Sequence, residues 1–265
     1  MFGIFDSGSG GLTVLKEIKK LLPKADIIYF GDLKNAPYGN KTPEEIGALT
    51  ALGFQKLIKE GASNIVSACN SASANLILPL LNDLKIKPEN IIEMVGPTMR
   101  AFREKQNARI LLVATEATIR SGIYQNAFES AGIKLQTLAM PHLAGAIEGG
   151  TSQPALLAMI GSALEKYNGT YDTLILACTH FPLVIDLFRR NVPKDVLIFD
   201  PAEVVAKEAV NKYKNNGEKP FSNSRELEKG GGGNLRFLIS KDSLFFRGKV
   251  DEFFGNSDYK IDVVR

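Results

Sequence analysis

Two short apolar runs constrain this chain more than anything else in it. They are Ile65-Val66-Ser67-Ala68 and Leu174-Ile175-Leu176-Ala177. Neither shows the apolar–polar alternation of a half-buried strand. Each ends in a cysteine followed by small polar residues, Cys69-Asn70-Ser71 and Cys178-Thr179-His180. A strand that is apolar throughout is buried on both faces, which calls for a parallel sheet with helices on either side. The carboxyl ends of such strands are where open α/β sheets bind ligands. The two cysteines are the only ones in the chain, and both stand at such an end.

The rest of the chain supplies the alternation of strands and helices that this reading needs. Ile4-Phe5 starts a short strand. The glycine-rich turn Asp6-Ser7-Gly8-Ser9-Gly10-Gly11 follows. Leu12, Leu15, Ile18, Leu21 and Leu22 then recur at helical spacing, and Pro23 stops the helix. Strands are expected at 26–30, 65–68 and 91–95. Thr42-Pro43-Glu44-Glu45 opens a helix running to about Glu60, with Thr as cap, Pro at the first position and Glu three residues on. A helix is expected from about Ser71 to Leu81.

The pattern then restarts. Arg109–Ala114 reads as a strand, followed by the polar turn Thr115-Glu116-Ala117-Thr118. Strands at 134–139, 173–177 and 196–199 alternate with helical segments through Glu148, from Pro154 to Tyr167, and from Pro201 to Tyr213. Cys69 follows Asp6 by 63 residues, and Cys178 follows Thr115 by the same 63. Matching intervals and matching strand order point to two similar βαβ lobes. The fold class expected is α/β: two pseudo-symmetric parallel-sheet domains with the active site in the cleft between them. The first lobe takes residues 1–95 plus 208–265, and the second takes 96–207. Residues 215–234, with four consecutive glycines at 230–233, read as a surface loop. The strand 235–239, the helix 244–254 and the strand 259–264 would return to the first lobe.

Bulk properties narrow the function classes. A net charge of +3 is spread along the chain without a block of like charges, so no nucleic-acid footprint is expected. No apolar run approaches the roughly eighteen residues of a membrane span, so no membrane association is expected. Met1-Phe2-Gly3-Ile4-Phe5-Asp6 lacks the basic start and apolar core of a signal peptide, so a cytoplasmic location is expected. Free thiols fit that compartment. There is no Cys-x-x-Cys or His-Glu-x-x-His, and only two histidines, so no metal is expected. Gly8-Ser9-Gly10-Gly11 lacks the dinucleotide-binding spacing, and no organic cofactor is announced.

A buried cysteine is most often a small inert hydrophobe. Two of them at strand ends, each leading into polar residues, suit another use. A thiol of pKa ~8.5, lowered by nearby cations or donors, can take a proton from a carbon beside a carboxylate and return it as an acid. Two thiols on opposite faces of one carbon would racemise or epimerise it. Asp6, His180 and Glu148 are placed to tune them. Asp6 also fits as a cap for the helix after the glycines, and Glu148 also fits a solvent-facing position. Ser7, Asn70, Ser71, Thr115, Thr118 and Thr179 fall in the same turns, as helix caps, as donors to a carboxylate-bearing ligand, or as both.

Taken together, Asp6-Ser7-Gly8-Ser9-Gly10-Gly11-Leu12, Pro37-Tyr38-Gly39, Ala68-Cys69-Asn70-Ser71-Ala72-Ser73, 115–121 and 176–183 resemble the glutamate racemase family in order and spacing. The resemblance implies a cofactor-independent interconversion of L- and D-glutamate that supplies peptidoglycan synthesis, usually by a homodimer. It implies Cys69 as base toward D-glutamate, assisted by Asp6. It implies Cys178 as base toward L-glutamate, supported by His180 and Glu148. Ser7, Pro37, Tyr38, Gly39, Asn70, Ser71, Thr115, Thr118 and Thr179 would hold the substrate. The chain departs from the family at Ser9, where valine is common, and at Ser71, where threonine is usual. It also departs at Val95-Gly96-Pro97-Thr98. Those departures leave room for a racemase of aspartate or another amino acid. A non-catalytic binding protein on the same fold is the remaining alternative.

Overall fold

The computed structural model describes residues 1–75, 78–215, 233–255 and 257–264. Among the described residues ten strands form two sheets, and every pairing is parallel. The first sheet contains β1 (Phe2–Asp6), β2 (Ile27–Gly31), β3 (Asn64–Ser67), β4 (Ile91–Ile92), β9 (Leu235–Ile239) and β10 (Tyr259–Val263). The second contains β5 (Ile110–Ala114), β6 (Leu135–Ala139), β7 (Thr173–Ala177) and β8 (Leu197–Phe199). Their orders are β10-β9-β2-β1-β3-β4 and β6-β5-β7-β8. Remove β9 and β10, and the two sheets have the same topology, with the first strand of each set flanked by the second on one side and the third on the other. In each sheet the crevice between that first strand and the third is a topological switch point. Asp6 and Cys69 stand at one switch point, Thr115 and Cys178 at the other.

Burial on both faces follows from the side-chain period of two. Ile4, Tyr29, Val66 and Phe237 face a core completed by the helices Leu12–Leu21, Ala202–Asn215 and Leu244–Phe254. Phe5, Phe30 and Ile65 point the other way, onto Ile46, Phe54 and Leu57 of the helix Pro43–Lys59. In the second sheet, Leu111, Val113, Leu174 and Leu176 pack with Ile160 and Phe188, while Leu112, Ala114, Ile175 and Ala177 pack with Tyr124 and Phe128. Thr42 and Glu45 form the capping box read from their spacing. Ala202, Val205, Ala206 and Ala209 all belong to the first sheet's core, so the expected division at 207/208 falls inside one helix.

Two local expectations are corrected. The helix expected over 71–81 is two helices, Asn70–Ser73 and Leu78–Asp83. Pro79 lacks an N–H and would clash in the interior of one continuous helix, but it is tolerated in the first turn of a new one. The strand expected over 91–95 pairs only at Ile91 and Ile92. Val95–Arg100 is instead a short helix, because the Glu93 carboxylate accepts from the backbone N–H of Val95 at 2.5 Å and of Gly96 at 2.8 Å. Most of the expected loop 215–234 lies outside the described residues.

Candidate active site

The glycine turn after β1 packs against the loop after β7, and this contact builds the site. Gly8 is required by closeness. A Cβ there would come within 2.9 Å of Glu148 Oε2 and 3.1 Å of His180 Nε2. Asp6, fully buried, does not cap the helix Leu12–Leu21, which has no side-chain cap. Its Oδ1 accepts from Gly8 N–H at 2.8 Å. Its Oδ2 accepts from the Thr179 hydroxyl at 3.0 Å, reaching across to the other sheet. Burial raises its pKa above the usual carboxylate range, against the opposing pull of His180 and these donors.

Cys69 lies two residues beyond β3 and is buried. Its thiol donates to Ser7 Oγ at 3.3 Å. Burial, then the nearby Asp6 charge, push its pKa up to about 12, with Ser7 and the Ala72 N–H pulling the other way. Cys178, also buried, follows β7 directly. His180 interacts with both Cys178 and Glu148. Its Nε2 is 2.5 Å from Glu148 Oε2. Burial alone would disfavour the imidazolium, but these two partners outweigh it and hold the His180 pKa well above its ordinary value. Burial likewise opposes the Glu148 charge, but His180 and Ser9 overcome it, so that carboxyl is lowered. The expected solvent-facing alternative for Glu148 does not hold: its side chain is 17% exposed and faces His180.

Ser7, Pro37, Tyr38, Gly39, Cys69, Asn70, Ser71, Thr115, Cys178, Thr179 and His180 all line one cavity, with Ala144. Asp6, Glu148 and Thr118 stand behind it, each bonded to residues of the wall. The space open to water is about 10 Å³, close to the minimum for one water molecule. Ser71, Thr115 and Thr118 form a triangle of hydroxyls, at 2.8 Å for Ser71 to Thr115, 3.0 Å for Thr115 to Thr118 and 3.4 Å for Ser71 to Thr118. Asn70 Oδ1 accepts from Tyr124 at 2.6 Å, while its Nδ2 is buried without a partner among the described residues. An unpaired buried amide is costly unless a ligand accepts from it.

Tyr38 is placed differently from a simple substrate donor. Its hydroxyl donates to Asp32 Oδ2 at 2.7 Å, and Asp32 does not line the cavity. Asp32 also accepts from Asn35 and Ser240, so it anchors the 37–39 segment to β9's end. Sequence reasoning missed Asp32 and Tyr124 as supports of the site. Tyr124 lies on an ordinary core-facing helix position, and nothing local marks its hydroxyl as aimed at Asn70. Among the described residues there is no cluster of three metal-ligating side chains and no helix long and apolar enough to cross a membrane.

The family model for Asp/Glu/hydantoin racemases matches residues 9–209. The chain belongs to that family. It is an amino-acid racemase. The chain is 34% identical over 260 residues to a glutamate racemase of Desulforudis audaxviator, covering 96% of this chain and 93% of that one. The structure superposes on glutamate racemase RacE1 of Bacillus anthracis with a TM-score of 0.85 at 29% identity, covering 100% and 97% of the two chains. The glutamate racemase of Francisella tularensis in complex with D-glutamate gives the same TM-score of 0.85 at 26% identity and the same coverage, 100% and 97%.

Proposed function

We propose that this racemase interconverts L- and D-glutamate by proton transfer between two thiols, with no organic cofactor and no metal. The observation that carries the reading is one cavity lined by both buried cysteines, each arriving from a different sheet. In the L-to-D direction, Cys178 as thiolate removes the α-proton and becomes a thiol. The electron pair left on the α-carbon delocalises into the α-carboxylate. The Cys69 thiol then gives its proton to the opposite face, leaving D-glutamate and a Cys69 thiolate. The reverse direction exchanges the roles. His180, held as a cation by Glu148, supports the Cys178 thiolate. The Cys69 environment favours the thiol, as its role as acid requires.

The hydroxyls of Ser7, Ser71, Thr115, Thr118 and Thr179 and the free Asn70 amide offer donors for two carboxylates. A cavity of about 10 Å³ cannot hold glutamate, so its walls part to admit the substrate. Of the departures that motivate an aspartate reading, only Ser71 lines the cavity. Val95–Arg100 forms a helix, with Thr98 bonded to Met94 O at 2.5 Å. The wider setting we propose is a cytoplasmic homodimer that supplies D-glutamate for peptidoglycan, in line with the glutamate racemases it resembles.

The test uses purified protein, L-glutamate and deuterated water. NMR follows loss of the α-proton, and chiral chromatography follows D-glutamate. Both are expected in the wild type, and racemisation is expected to vanish in Cys69→Ala and Cys178→Ala. Full activity in either variant would sink the two-thiol reading. Turnover of aspartate in preference to glutamate would sink the substrate.

A further inference from the structure

Ser9 is the residue of the glycine turn whose hydroxyl has no part in the turn itself or in the two-thiol scheme. It is fully buried, and both of its donors go to one place. Its hydroxyl donates to Glu148 Oε1 at 2.5 Å, and its backbone N–H donates to Glu148 Oε2 at 3.0 Å. Oε2 is the same oxygen that meets His180 Nε2 at 2.5 Å. The carboxylate is therefore gripped at both oxygens by one residue that lies 139 positions away in the chain. A valine at this position keeps the amide but supplies nothing to Oε1.

We infer that Ser9 is a positioning residue of the acid–base apparatus, its hydroxyl clamping Glu148 against His180 and setting the lower pH limit of turnover. This rests on the reading of Glu148 and His180 as partners of Cys178. The physical argument is short. A donor on a carboxylate stabilises the charged form. Hydrogen bonds to charged groups are stronger than neutral ones and gain further in a low-dielectric interior. Glu148 must be ionised to hold His180 as a cation. With the hydroxyl, that state persists to lower pH. Without it, the carboxyl takes up a proton sooner, and its side chain loses one of the contacts that fix its rotamer. The other titratable groups around the pair are Cys178 beside His180, Asp6 across from His180, and Tyr29, which senses the Glu148 charge from β2. None of them donates a hydrogen bond to Oε1.

The test is the pH dependence of kcat/KM for Ser9→Ala and Ser9→Val in the full chain. L- and D-glutamate have equal free energies, so any change in kcat/KM must be the same in both directions. The acid limb is expected to move up by about one pH unit in both variants, a tenfold change in proton affinity. In a Glu148→Gln background, Ser9→Ala is expected to move nothing, because the group it acts on is gone. A packing defect alone would leave the limb in place and lower the plateau. An unmoved limb, or an equal shift in the Glu148→Gln background, overturns the inference. The chain has only two histidines, so His142→Gln assigns the His180 ring signals in an isotope-labelled sample. In Ser9→Ala the step that these signals sense as Glu148 takes up a proton is expected to shift upward, and the imidazolium's own titration, held up by that carboxylate, is expected to shift downward. If the wild type fails to racemise glutamate, the functional reading fails, and this titration still decides the clamp: superimposable curves would overturn it.

Discussion

Replacing Glu148 by glutamine removes one charge and little else. The amide keeps the shape of the carboxyl, its oxygen still accepts from His180, and its NH2 can donate to the Ser9 hydroxyl, which accepts as well as donates. What is lost is the attraction between a carboxylate and an imidazolium whose nearest atoms are 2.5 Å apart, on side chains 17% and 4% exposed. Unit charges about 4 Å apart attract by ~4 kcal/mol at an effective dielectric of ~20. Desolvation offsets part of that. If about two-thirds survives in the transition state, the barrier rises by ~2.7 kcal/mol, or ~100-fold in rate. This lies within the ~10²–10⁴-fold usual for acid–base groups. The assay is the initial rate of D-glutamate formation at pH 8 over a range of L-glutamate concentrations, with the reverse direction alongside. The expected result is a fall of about 100-fold in kcat with KM changed less than about threefold, and kcat/KM lowered equally in both directions. A kcat within about threefold of wild type, or a loss confined to KM, would refute the reasoning, since Glu148 would then serve ground-state binding or nothing. The same variant carries a stability signature. Glu148 is lowered in the fold, so its contribution is present above the ordinary carboxylate value of ~4.3 and is lost as pH falls through the folded one. His180 is raised, so its contribution is complete below ~6.5 and is lost as pH rises through its folded value. The Tm deficit of Glu148→Gln is therefore expected to be largest between about pH 4.5 and 6.5 and to shrink under acid.

Asp6 has the opposite sign. Its raised pKa means that folding costs more as pH climbs past the unfolded value, so Asp6→Asn is expected to raise Tm at pH 8, with the gain fading toward pH 4, while turnover falls. A Tm that drops at pH 8 would count against burial as the dominant cause. Cys69, at about 12, is expected to resist iodoacetamide in the empty enzyme at pH 8, where about one molecule in ten thousand carries the thiolate. Mass spectrometry that finds rapid labelling of Cys69 in folded protein would contradict that environment. Tyr38→Phe removes a 2.7 Å hydrogen bond to Asp32 and is expected to cost about 1.5–3 kcal/mol in urea unfolding, with a smaller effect on kcat than on stability. A stability unchanged within about 0.5 kcal/mol would show that Asp32 does not anchor the segment.

Much of this molecule was legible before folding was considered. Apolar runs without alternation identified the central strands, and the Thr42–Glu45 box marked a helix start. Equal spacing from Asp6 to Cys69 and from Thr115 to Cys178 pointed to two similar lobes. These signals are local, because each depends on a residue's preference for its immediate backbone or for being buried. The boundaries that failed did so where a neighbour intervened. Glu93 turned the end of a strand into a helix cap, and Pro79 split a helix. The site divides in the same way. Its cysteines, histidine and hydroxyls were visible as polar residues at strand ends. Tertiary structure alone decided where each side chain pointed. It took Asp6 from helix cap to a bond with Thr179, turned the Tyr38 hydroxyl toward Asp32, and set Ser9 on Glu148. Those partners lie 173, 6 and 139 residues apart. Two of the three contacts join different sheets, and the third depends on an aspartate that β9 also holds. Composition along the chain carries the preference of a residue for a strand end, but the partner it meets there is set by how the two sheets pack.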